Sequence, residues 1–274
     1  MSRDVYRDRS EAGRVLARSL AHYAGRSDVR VLALPRGGVP VAYEVARALD
    51  APLDLFLVRK LGVPGHEELA FGAIATGGVR LLNRDVMDAL KIPAEVVEEV
   101  VAVEMGELAR RERAYRDDLP APEVRDQTVI LVDDGLATGA SMRAAVAALR
   151  KLGPARIVTA VPVAARPTCD LLAREVDELV CARTPEPFHA VGQWYEDFSQ
   201  TSDQEVGDLL RRAGRDHVGG REGSDLRREA TPMNANVVSV QAIPVQLPAV
   251  GVVLEGDLAV PRDARGVVLF AHGS

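Results

Sequence analysis

Aromatic residues make up only 4% of this 274-residue chain. Its core must therefore be built from Val, Leu and Ala, which the 47% hydrophobic content supplies. Cysteine is nearly absent. Cys169 and Cys181 show no metal-ligand spacing, so they read as small hydrophobes, reduced and buried. No apolar run reaches the ~18 residues of a membrane-spanning helix. The charged start, Met1 to Asp8, lacks a signal-peptide core. Both absences point to a cytoplasmic protein with no membrane partner. Excess positive charge is missing too: the net charge is −6 and the pI about 5.5, which argues against a nucleic-acid partner, since that needs a basic face. Three catalytic signatures are also lacking. Gly135 and Gly139 are too close for a Walker loop and no Lys follows. The same turn has no Gly-x-Gly-x-x-Gly fingerprint, and His66 belongs to no His-Glu-x-x-His zinc motif.

What is present is an alternation of apolar strands and helices, in a chain long enough for one large domain or two small ones. A helix is expected over 10–24. A strand over 29–34, the turn Pro35-Arg36-Gly37-Gly38, a helix to about Leu49 and a strand over 52–58 make a β-α-β unit, which implies a parallel sheet. Residues 59–69 read as a polar loop bearing Gly and Pro. Segments 69–75 and 79–82, around Gly77-Gly78, read as a hairpin. Pro93 opens a long charged helix to about Arg116, acidic first and basic later, an order that complements the helix dipole. It reads as a solvated face from which Arg110 or Arg116 could reach a crevice. Strands at 129–132, 156–162 and 178–181, with helices at 139–151 and 167–175, complete a doubly wound, mostly parallel α/β sheet.

Such sheets bind ligands beyond the carboxyl ends of their strands. Two loops there carry chemistry. In the first, Arg36 can grip phosphate oxygens in a fork, and Gly37 and Gly38 allow close backbone approach; a tight turn with a solvated Arg is the plain alternative. The second is the richest stretch of the chain: Val129-Ile130-Leu131-Val132-Asp133-Asp134-Gly135-Leu136-Ala137-Thr138-Gly139-Ala140-Ser141. A buried strand ends in two carboxylates, and a small-residue loop leads into an Ala-rich helix. Amides at a helix N-terminus hold a phosphate, while the acids suit a polyhydroxylated or cationic group. A sugar phosphate satisfies both. Asp134-Gly135 alone would signal only a turn, and a strand-end Asp only a cap. Arg59-Lys60, two cations at the end of the next strand, suit a diphosphate; they also read as a solubilising pair.

This run resembles the phosphoribosyl pyrophosphate (PRPP) signature of type I phosphoribosyltransferases, and the resemblance covers roughly residues 10–212. It implies that Asp133 and Asp134 bind the ribose hydroxyls and that Ala137, Thr138, Gly139, Ala140 and Ser141 bind the 5′-phosphate. It makes Arg36, Gly37, Gly38, Arg59 and Lys60 the pyrophosphate contacts, with Arg36 and Lys60 catalytic beside the acids. Residues 61–68 fall where the family has a mobile loop; His66 and Glu67 there read mainly as solvated. Residues 188–198 fall where it has a small hood that stacks on the acceptor base. Trp194, Tyr195 and Phe198 would then face the acceptor, or simply pin the hood to the sheet; His189 has no assigned role. The implied activity is a glycosyltransferase of nucleotide metabolism, moving 5-phosphoribosyl from PRPP to a nitrogenous base or other nitrogen nucleophile. Mg²⁺ would bind with PRPP, with no direct protein ligand assigned, and a homodimer is expected by analogy. The alternative is a domain that senses PRPP without transfer.

Composition changes after residue 212. Residues 213–236 read as a linker, and 237–274 as strands at 237–245, 250–260 and 266–271. This tail resembles the opening of a dienelactone-hydrolase-like α/β-hydrolase domain, with His272-Gly273 leading toward its oxyanion loop. No nucleophile elbow follows, so Ser274 is no nucleophile and this portion is expected to be an inactive, incomplete piece. A hairpin belonging to the first domain is the alternative.

Overall fold

The computed structural model describes residues 5–116, 121–225, 243–249 and 252–258. Two compact units divide at Leu226. The first holds a five-stranded parallel sheet in the order β2-β1-β6-β7-β8, built from β1 (Val29–Ala33), β2 (Leu53–Leu55), β6 (Thr128–Val132), β7 (Arg156–Val163) and β8 (Glu178–Arg183). The period-two alternation of β1 decides its two faces. Val29, Val31 and Ala33 point into one core, with Ile130 and Val132 of β6. Leu32 points into the other, with Val129 and Leu131. Helices α1 (Arg9–Ser19), α2 (Gly38–Leu49), α4 (Ala94–Arg116) and α7 (Asp203–Asp225) contribute to the first core. Helices α5 (Ala140–Lys151) and α6 (Arg166–Leu172) line the second. The doubly wound architecture expected from the sequence is therefore present.

The strand order turns at β1. Its neighbours are β2 on one side and β6 on the other, and Ala33 pairs in register with Val132. The turns that follow β1 and β6 thus leave the sheet side by side, at its switch point. Helix α1 reaches this crevice with its first turn. Asp8 caps it by accepting from the Glu11 amide at 2.7 Å, and Glu11 accepts from the Arg7 amide at 2.6 Å. This reciprocal box fixes where Arg9 emerges.

Several boundaries differ from expectation. The stretch 52–58 is not one strand: β2 ends at Leu55, and Val58 begins β3 (Val58–Val63) of a separate antiparallel sheet with β4 (His66–Ala75) and β5 (Val79–Leu82). The expected mobile loop 61–68 is consequently the tip of the β3–β4 hairpin, turned at Gly65 with φ +79° and bulged at Leu61 to Val63. Gly and Pro signal a turn but not its length; the apolar strand residues flanking this one close it into a ladder. Helix α1 is shorter than expected, ending at Ser19 before a 3-10 turn at Ala21–Tyr23, and α3 (Arg84–Ala89) is an element beyond those expected. The expected linker 213–236 begins inside α7, which is helical to Asp225.

In the second unit, β9 (Ile243–Ala249) and β10 (Val252–Leu258) form an antiparallel pair. The expected strand at 266–271 and His272-Gly273-Ser274 lie outside the described residues. Among the described residues, no helix is long and apolar enough to cross a membrane.

Candidate active site

The turn after β6 is a cup of main-chain donors. Among the described residues, the amides of Ala137, Thr138, Gly139 and Ser141 donate to no protein acceptor, and the Ala140 amide makes only a 3.4 Å contact with Thr138 Oγ1. Gly139 adopts φ +69°, a conformation that favours glycine, and precedes the first turn of α5. The Thr168 hydroxyl of α6 buttresses the cup from behind, donating to the Ala137 carbonyl at 2.5 Å. A recess of about 180 Å³ lies over these residues, bounded by Asp133 and Val191.

Asp133 and Asp134 stand at the rim. The Asp134 amide donates to Asp133 Oδ1 at 2.8 Å. Burial, reinforced by the Asp134 charge, pushes the Asp133 carboxyl well above the usual carboxylate range. Burial also raises Asp134, but Arg9 opposes that shift from 2.9 Å. Sequence reasoning missed Arg9. It lies 125 positions from Asp134, and no local pattern marks it. Its guanidinium also donates to the Ser199 carbonyl at 2.7 Å and sits 4.0 Å above the Phe198 ring.

The Pro35-Arg36-Gly37-Gly38 turn packs directly on the acids, and its first peptide bond is cis. A Cβ on Gly37 would fall 2.0 Å from Asp134 Oδ2, and one on Gly38 would fall 2.8 Å from the Val132 carbonyl. These glycines are therefore needed for two loops to touch, as well as for approach by a ligand. Arg36 extends outward, 3.6 Å from Asp203, which also accepts from the Tyr115 hydroxyl at 2.6 Å. Among the described residues the Arg36 and Gly37 amides donate to no protein acceptor.

Arg59 and Lys60 line different recesses, although Arg59 also pairs with Glu104 of α4 at 2.5 Å, a residue of the Lys60 cleft. Arg59 lines a recess of about 140 Å³ together with Arg111, Pro35, Asp133 and Ser141. Asp133 and Ser141 are shared with the cup, so the two recesses adjoin. Lys60 lines a different cleft, between the β3–β4 hairpin and α4, with Val63, Pro64, Val100 and Val103. Arg111, which also pairs with Glu107 at 2.7 Å, shares the Arg59 recess with Asp133, whereas Lys60 does not line it. Of the α4 arginines expected to reach a crevice, Arg110 pairs with Glu107 on the surface, while Arg116 is buried on Asp54 and the Leu55 carbonyl.

The hood divides as well. Tyr195 is buried; its hydroxyl donates to the Asp134 carbonyl at 2.6 Å, and its backbone bridges to Tyr6. It pins the hood to the acid turn. Trp194 stacks on Phe188 with centroids 6.4 Å apart, and Phe198 stays 37% exposed. His66 and His189 are exposed and join neither the cup nor the acids.

The phosphoribosyl transferase domain model matches residues 8–182, which span every element that builds the cup. The chain belongs to the phosphoribosyl transferase family. Two Mycobacterium tuberculosis proteins (strains CDC 1551 and H37Rv), each provisionally named a phosphoribosyl transferase, are 44% identical over 270 residues, 98% of this chain. The chain spans 59% of the length of these curated relatives. A crystal structure of TT1426 from Thermus thermophilus is similar with a TM-score of 0.67 and 41% identity, covering 76% of this chain and 98% of that one.

Proposed function

We propose that this chain transfers 5-phosphoribosyl from PRPP to the nitrogen of a base, releasing pyrophosphate. The observation that carries the reading is the ring of amides from Ala137 to Ser141, four of them unbonded, beside two half-buried carboxyl groups. The amides and the α5 dipole would take the 5′-phosphate. Asp133 and Asp134 would accept the ribose hydroxyls and offset positive charge as the bond at C1 breaks in an oxocarbenium-like transition state. The free Arg36 and Gly37 amides, with the Arg36, Arg59 and Arg111 guanidiniums, would hold the departing diphosphate. Arg9 opposes the rise that burial imposes on Asp134 and orients its carboxyl.

The donor set also suits Mg²⁺. Among the described residues no group of three or more His, Cys, Asp or Glu gathers as a protein cage. An ion held by one or two carboxylates, substrate oxygens and water is the usual Mg²⁺ arrangement, and Asp133 and Asp134 would be those carboxylates. Such an ion would neutralise diphosphate charge. Trp194 and Phe198 are the hood rings that remain candidates for acceptor contact, since Tyr195 is engaged.

The test is pyrophosphate release from Mg²⁺-PRPP across a panel of bases, alongside calorimetric PRPP binding. Turnover on one base class supports the transferase. Tight binding without turnover on any base would assign the chain to PRPP sensing instead, and absence of PRPP binding would overturn both.

A further inference from the structure

The chain's two cysteines, 12 positions apart, meet behind the cup. Cys169 lies in α6 and Cys181 in β8, with their sulfurs 2.7 Å apart, both as free thiols. Cys169 is buried and Cys181 half-buried. Nothing in the transfer chemistry uses them. Their position does matter to it: the residue before Cys169 is Thr168, whose hydroxyl holds the Ala137 carbonyl and whose methyl lies 2.7 Å from where a Cβ on Gly139 would sit. Helix α6 is only two turns long, so a pull on Cys169 is a pull on Thr168.

We infer that Cys169 and Cys181 form a reversible disulfide that couples the oxidation state of the chain to the shape of the Ala137–Ser141 cup. The oxidant is a low-molecular-weight disulfide. The Cys181 thiolate, from the more accessible of the two sulfurs, attacks one sulfur of the oxidant; a mixed disulfide forms and one small thiolate leaves. The Cys169 thiolate then attacks Cys181 Sγ, the intramolecular bond forms, and the second small thiolate leaves. The two cysteine protons pass to the two released thiolates. Closing the sulfurs to the ~2.0 Å of a disulfide needs only a small movement, but it draws Cys169 toward β8 and strains the Thr168 contact with Ala137. Burial and the Cys169 sulfur raise the Cys181 thiol above its ordinary value, which slows the first attack and reserves the reaction for sustained oxidation.

The regulatory meaning rests on the phosphate reading of the cup; the bond and its mechanical effect do not. The experiment incubates the whole chain with excess oxidised glutathione and follows three things: thiols titrated in denaturant, intact mass, and the backbone amide resonances of Ala137–Ser141. The expected result is loss of both thiols, loss of the mass of two hydrogen atoms, and displaced cup resonances, all reversed by dithiothreitol. Cys181→Ser should show neither the intramolecular bond nor the displacement, and Cys169→Ser serves equally if that variant folds poorly. Persistence of both thiols, capture of glutathione without ring closure, or a bond that leaves the cup resonances in place would each overturn the inference. PRPP affinity, measured separately on the reduced chain, reports on the transferase reading alone.

Discussion

The crevice over β1 and β6 and the cleft beneath the β3–β4 hairpin make an instructive pair. The cleft is much the larger, at about 500 Å³ against about 180 and 140 Å³ for the two recesses of the crevice. Yet its walls are Val, Pro and Gly with one Lys and two Glu, drawn from two neighbouring elements. The crevice gathers Arg9, Gly37, Arg59, Arg111, Asp133, Asp134 and a ring of largely unbonded amides from five separate parts of the chain. It also carries costs that packing alone would not select: two neighbouring carboxyl groups withdrawn from water, and glycines where any side chain would collide. Convergent polar groups held at a cost distinguish a site; volume does not.

The sharpest way to break this contrast is to remove charge from each region. Asp133→Asn with Asp134→Asn should lower phosphoribosyl transfer by ~100-fold or more, since charge-stabilising groups act in a water-poor site. Lys60→Ala should change it less than ~2-fold, worth about 0.4 kcal/mol. Equal losses would place Lys60 at the reaction and undo the distinction. Crowding the crevice is the next test. Gly37→Ala sets a methyl group 2.0 Å from Asp134 Oδ2, so either the turn or the acid must move. Displacement on the 1 Å scale costs up to ~100-fold in rate, and a loss of roughly 30-fold in kcat/KM is expected, read in the same pyrophosphate assay. A smaller effect is expected on the diphosphate side. Arg111→Gln should raise the KM for PRPP about 10-fold, the ~1.4 kcal/mol of one charge-assisted contact. An unchanged KM would remove Arg111 from the diphosphate contacts.

How far the sequence reveals all this depends on distance along the chain. The strand, acid pair and cup form one continuous segment, so local chemistry makes them readable from Val129 to Ser141. The Gly37-Gly38 turn is legible as a close approach, although its nearest neighbour is Asp134. Sequence reasoning fails where a partner is remote. Arg9 is invisible to any window, being 125 positions from the carboxylate it holds. Lys60 looks equivalent to Arg59 in the sequence, yet the two line different recesses once β3 is packed. Arg111 is one of several arginines of α4, and only the packed helix shows which of them shares a recess with Asp133.

The last comparison sets function against stability at a single residue. Burial raises the Asp133 carboxyl well above its unfolded value of about 3.9. Below that value both states are protonated and the group contributes nothing. As pH rises, the unfolded chain ionises first while the folded chain holds its proton, so the folded state loses stability until the raised value is passed. Asn cannot ionise. Asp133→Asn should therefore match the parent near pH 3 and be the more stable of the two at neutral pH, seen as a Tm difference that opens with pH while transfer falls. If the variant is instead less stable at neutral pH, the ionised carboxylate is a favourable part of the fold, and the costs that mark this crevice as a site have been misread.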